Sequence, residues 1–151
     1  MLRNWNVRIL VIDPKNSRRI ISISNDLNNN EFNLPGGPVD VMNNNYLDVS
    51  VKYLSDQLGI KVKRKNLNML NFGELYDGVN IITYVISNWK GNLNTKFNDK
   101  YILYHNITDL SAKLFIKSNK TKEDEYLDFI LKKYDQYLRK DWRNKSSCTI
   151  I

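Results

Sequence analysis

Tyr53, Asp56 and Gln57 stand at i, i+3 and i+4, a spacing that puts three side chains on one face of an α-helix. Oxygen ligands so placed can hold Mg²⁺ or Mn²⁺, and a cation held there can stabilise charge on phosphoryl oxygens. Only Asp56 among the three is an ionised carboxylate near neutral pH. Gln57 offers an amide carbonyl, whereas the Tyr53 phenol, with an unperturbed pKa of about 10, is too weak an acid to replace a carboxylate. Lys52 sets a cation beside them. Upstream, Leu34-Pro35-Gly36-Gly37 makes a turn in which glycine permits backbone angles that are unfavourable for other residues. No second constellation competes. His105 is the only histidine and falls in an expected strand with no identifiable partner, and no Ser-His-Asp or Cys-His set can be assembled. Asp40, Asp48, Glu74, Asp77 and Asp99 are expected as solvated surface acids.

The strings Asn33-Leu34-Pro35-Gly36-Gly37-Pro38-Val39-Asp40 and Lys52-Tyr53-Leu54-Ser55-Asp56-Gln57-Leu58-Gly59-Ile60 resemble a Nudix box. The familiar pattern runs Gly, five residues, Glu, seven residues, then Arg-Glu-aliphatic-any-Glu-Glu-any-Gly-aliphatic, and its second half lies over residues 52 to 60. The glycines, Leu54, Gly59 and Ile60 match; the glutamates do not, and the spacing from the glycines is one residue longer. The resemblance implies an α/β/α sandwich, a mixed sheet with helices on both faces, in which a loop and helix hold metal against a diphosphate. It further implies Asp56 as the remaining metal ligand, Gln57 as a weaker oxygen donor, Lys52 in the place of the orienting arginine, and Gly36, Gly37 and Tyr53 lining the ligand cleft. Lysine keeps that arginine's charge but not its planar fork. With one carboxylate in place of several, a degenerate member is expected, one that binds a nucleotide or other phosphorylated ligand with little hydrolysis. The alternative is a divalent-metal-dependent hydrolase of a nucleoside diphosphate linked to another moiety, or of capped RNA.

Around the box, β-branched runs predict strands over Asn6 to Ile12 and Arg19 to Ser24, joined at Asp13-Pro14-Lys15-Asn16-Ser17. Leu47, Val51, Leu54 and Leu58 form one helical stripe over Tyr46 to Leu58, with Asn43-Asn44-Asn45 able to cap it and Gly59 placed to end it. Strands are expected over Leu67 to Leu75 and Val79 to Asn88 about the Tyr76-Asp77-Gly78 turn, and over Tyr101 to Asn106. A short helical element should begin at Ile107. Thr121-Lys122-Glu123-Asp124 resembles a capping box before a long helix with its buried stripe at Tyr126, Leu127, Ile130, Leu131, Tyr134 and Leu138. Trp5, Phe32, Tyr76, Tyr84 and Tyr104 are expected mainly in the core.

With 151 residues, 42% of them hydrophobic, the chain suits one domain over residues 1 to 141, followed by a basic tail at 142 to 151. The formal charge of +7 favours polyanionic partners, RNA among them. Its cations concentrate at Lys61, Lys63, Arg64 and Lys65 and again near the C-terminus. No leader is read at Met1-Leu2-Arg3-Asn4-Trp5, so a cytoplasmic protein is expected. The single cysteine excludes an internal disulfide. It also falls in Cys148-Thr149-Ile150-Ile151, which resembles a CaaX prenylation signal. A prenyl group on Cys148 beside the basic tail would hold the protein at the cytoplasmic face of an anionic membrane.

Overall fold

The computed structural model describes residues 4–25, 31–40, 45–76 and 78–150, and of 4, 74–76 and 141–150 the backbone alone. Its backbone forms β1 (Asn4–Asp13), β2 (Asn16–Ser24), β3 (Gly36–Val39), α1 (Tyr46–Tyr53), β4 (Asn68–Tyr76), β5 (Val79–Ile86), β6 (Lys96–Phe97), β7 (Lys100–Asn106), α2 (Ile107–Ile116) and α3 (Lys122–Ile150). The order matches the sequence expectation, with two short strands, β3 and β6, added.

Six strands run β4-β5-β1-β2-β7-β6 across one sheet, and β3 pairs with β1 off that path. The β1–β5 pair is parallel and the others are antiparallel. Alternation along each strand sends successive apolar residues to opposite faces. Leu10, Ile12, Ile20, Ile81 and Val85 pack under α2 and α3 through Leu110, Leu114, Leu127, Ile130 and Leu131. Val7, Ile9, Val11, Ile21, Ile82 and Ile86 pack on the other face with Leu54, Leu58 and Ile60. Two buried layers therefore flank the sheet, giving the expected α/β/α sandwich.

Local signals set the helix boundaries. The Asn45 side chain accepts from the Leu47 N–H at 2.9 Å, capping α1. The expected single helix over Tyr46 to Leu58 divides: beyond Tyr53 the turn widens to π-helical over Leu54–Leu58, and Gly59 closes it at φ 73°. Asn106 caps α2. At the start of α3 the capping box forms with aspartate: Thr121 N–H donates to Asp124 Oδ2 at 2.9 Å, and Asp124 N–H donates to Thr121 Oγ1 at 3.1 Å. The backbone of α3 continues to Ile150, across the boundary expected at 142. The side chains of the basic tail, including Cys148, lie outside the described residues, as does Asp77 of the expected turn. No helix among the described residues is long and apolar enough to cross a membrane.

Candidate functional site

The two neighbours on one side of β1 are the origin of the site. Near its end, Ile12 pairs with Ile20 of β2, while Trp5 to Arg8 pair with Val39 to Gly36 of β3. The chain between them crosses the resulting fork: Asn33 exchanges backbone hydrogen bonds with Ile23 of β2, and two residues later the Pro35 carbonyl accepts from Ile9 N–H at 2.9 Å. Gly36 sits where the crossing segment meets β1. Its φ is +133°, and a Cβ there would lie 2.1 Å from the Val7 carbonyl oxygen. Only glycine fits so close to a neighbouring backbone. The expected glycine turn is thus a crossover that continues into a strand.

The box helix is fastened to this strand by the side chains that would face a metal. Gly36 N–H donates to Gln57 Oε1 at 2.9 Å, and Gln57 Nε2 donates to the Gly36 carbonyl at 3.0 Å. Gln57 thereby treats Gly36 as a strand partner would. One turn earlier, the Tyr53 hydroxyl donates to the Pro38 carbonyl at 2.7 Å. The ring covers Gly37, where a Cβ would come within 2.7 Å of that hydroxyl oxygen. Partial burial raises the phenol above its ordinary pKa, against a smaller lowering effect of Arg8. It is a neutral donor. Asp56 is exposed and shares a cleft of about 370 Å³ with Lys52, Tyr53 and Asp40.

A second cleft, about 290 Å³, is lined by Arg8, Glu31, Asn33, Gly36, Gln57, Phe97 and Lys100 among others. The Arg8 side chain is 19% exposed and reaches Glu123 at 3.4 Å, a long contact for an ion pair. Arg8 was identifiable in the sequence as a lone charge inside Val7-Arg8-Ile9-Leu10-Val11; Phe97 and Lys100 carried no comparable signal. This cleft joins two cations, one carboxylate (Glu31), amides and a half-buried aromatic ring around one backbone crossing.

The other candidates are placed apart. Asp48 pairs with Arg64 at 3.1 Å, and Asp99 lies in the β6–β7 turn at φ 64°. The side chains of Glu74, Tyr76 and Asp77 are outside the described residues. Phe32 and Tyr84 are core residues, Trp5 stacks on Phe72, and Arg19 lies over Tyr104. Among the described residues no three His, Cys, Asp or Glu side chains gather as a metal cluster.

His105 faces Phe32 edge-on, with its Nε2 2.6 Å from Ser22 Oγ. Burial, then the nearby Lys113 charge, lowers its pKa to about 4. The unfolded chain, with an ordinary histidine pKa of about 6.5, binds this proton first. Stability should therefore fall as pH drops from about 6.5 toward 4. Urea midpoints measured through that window should show the loss in the native sequence and a flatter profile in His105→Gln. Parallel profiles would remove His105 as the cause.

No protein-family model matches the chain, and no curated protein matches it. Solved structures do. MutT of Aliivibrio salmonicida and Vibrio cholerae superposes with a TM-score of 0.66 at 14% identity, over 86% of this chain and 98% of the other. A MutT NUDIX hydrolase from Burkholderia pseudomallei gives 0.62 at 15% identity, over 88% and 98%. MutT from Bacillus halodurans gives 0.57 at 12% identity, over 72% of each. These likenesses show that the chain has the Nudix fold.

Proposed function

We propose that this Nudix-fold chain binds a phosphorylated ligand, a nucleotide foremost, in the cleft beside Gly36 and does so without metal-assisted hydrolysis. The observation that carries this is the double hydrogen bond between Gln57 and the Gly36 peptide. A divalent ion held against a diphosphate needs several hard oxygen ligands on the helix face. Of the three positions spaced for that purpose, Gln57 and Tyr53 are committed to the glycine strand. Asp56 remains, with Asp40 across the cleft and the Lys52 ammonium beside them. These residues do not fit a metal cradle.

Binding draws on other groups. Arg8 and Lys100 outweigh the single Glu31 carboxylate in one cleft, and charge-assisted hydrogen bonds to phosphate are among the stronger polar contacts. The long Arg8–Glu123 contact leaves the guanidinium able to turn to a better acceptor. Phe97 offers a ring face and Asn33 an amide for a base. The resemblance of the glycine turn and box helix to a Nudix box implies the same general kind of ligand.

A thermal-shift panel of nucleoside di- and triphosphates tests this, because bound ligand raises the melting temperature whether or not chemistry follows. The expected result is a rise that persists in EDTA, with affinity weakened about tenfold by Arg8→Ala. Release of phosphate or mononucleotide that requires Mg²⁺ or Mn²⁺ and disappears in Asp56→Ala would overturn it.

A further inference from the structure

Beyond Gly59 the chain runs through Lys61-Val62-Lys63 into a 3₁₀ turn at Arg64–Asn66. The Lys61 backbone forms an isolated antiparallel bridge with Lys90, just after β5. Together these segments wall a cleft of about 540 Å³, whose lining includes Lys61, Lys63, Lys65 and Lys90 with Asn66 and Trp89. Among the described residues no acidic side chain lines it. Arg64, the remaining cation of the Lys61 to Lys65 stretch, is instead paired with Asp48. No ion pair to any of the four lysines is formed among the described residues.

The bridge makes this grouping more than a consequence of a lysine-rich composition. Residues directly opposite one another on paired strands interact, and like charges in that position are destabilising. Here Lys61 and Lys90 are fixed opposite each other by buried neighbours: Trp89 donates its indole N–H to the Ile12 carbonyl at 2.7 Å, and Ile60 is fully buried. Both side chains are exposed, so the ammonium groups move on flexible stems, but the backbone keeps the two charges in one neighbourhood. A multivalent anion in the cleft would offset their repulsion.

We propose that this lysine cleft is a second anion site, one that takes a compact polyphosphate, either inorganic or carried on a polyol. Three features select that class. Ammonium groups are point charges suited to a flexible chain of phosphates, whereas guanidinium forks favour a fixed bidentate geometry. The cleft is concave, unlike the flat contact a lipid surface requires. Trp89, its one aromatic lining residue, is 9% exposed, so no ring stands free to stack on a base as single-stranded nucleic acid usually demands. The site shares no lining residue with the cleft beside Gly36.

Calorimetric titration of the full chain with inorganic tripolyphosphate, and separately with inositol hexakisphosphate, tests this at fixed ionic strength and distinguishes the two sources of phosphate. At least one should bind. Lys61→Gln/Lys90→Gln should weaken that binding about tenfold, whereas the charge-matched control Lys15→Gln/Lys120→Gln should change it by less than about twofold. Arg8→Ala should leave it unchanged, which separates this site from the nucleotide cleft. Without ligand, the Lys61→Gln/Lys90→Gln protein should melt higher than the native chain at low salt and converge with it at high salt, because screening removes the repulsion. Absence of binding by both probes, equal weakening in the control, or Lys61- and Lys90-dependent binding of single-stranded RNA or anionic vesicles in their place would overturn the proposal.

Discussion

Gly36→Ala should destabilise the protein by about 3–5 kcal/mol, the range in which strained backbone and overpacking coincide. Two independent penalties meet at this residue. Its φ of +133° lies where an L side chain is strongly disfavoured, and the added methyl carbon would fall 2.1 Å from the Val7 carbonyl oxygen. That oxygen belongs to a fully buried residue of the central strand, so relief requires β1 and β3 to part. Chemical denaturation would register the loss as a lower midpoint with little change in slope. A Gly36→Ala protein within about 0.5 kcal/mol of the native chain would mean that the crossover takes another path.

The second large effect is expected at Gln57→Glu, the substitution that restores a box glutamate. Nε2 now donates to the Gly36 carbonyl; a carboxylate would instead set oxygen against oxygen in a partly buried position. The expected cost at pH 7 is about 2–3 kcal/mol, since a donor is lost and an acceptor left unsatisfied. The deficit should shrink in acid. A protonated carboxyl can donate to the carbonyl, so the folded-state pKa of the introduced side chain is raised above its unfolded value of about 4.3. A raised acid pKa contributes least stability at high pH, so the variant should approach the native chain, compared at the same pH, as the carboxyl protonates. A stable Gln57→Glu protein that acquires Mg²⁺-dependent hydrolysis would place residue 57 in a catalytic role.

Most of the architecture was legible because its causes are local. Branched runs marked β1, β2 and β5, and a single apolar stripe marked the box helix. Thr121 and Asp124 announced a cap that the structure forms in full. β3 was not legible: Gly36-Gly37-Pro38-Val39 has low intrinsic strand preference, and its extended form comes from β1, distant in sequence. The π turn escaped for a related reason. Leu54 and Leu58 fit the helical stripe whether or not the last turn widens.

The site was legible as a set of residue types but not as a set of contacts. Spacing placed Tyr53, Asp56 and Gln57 on one face, yet nothing local says that an amide will turn to a backbone peptide rather than a cation. Arg8 was visible as an isolated charge, but its cleft depends on Phe97 and Lys100, which only the closing of β7 beside β2 brings near. The lysine stretch after Gly59 was plain in the sequence. Its bridge to Lys90 was not.

The Gln57 amide has one more consequence. Among the described residues β3 pairs by backbone with β1, and a strand with one such neighbour has a rim onto which an extended segment of another molecule can add, the usual route to unwanted self-association; here the Pro38 carbonyl on that rim is taken by Tyr53. By giving and accepting there as a peptide would, a single side chain occupies the rim at Gly36 and denies an incoming strand its docking pair. Substitutions at position 57 are therefore expected to increase the tendency of concentrated protein to aggregate.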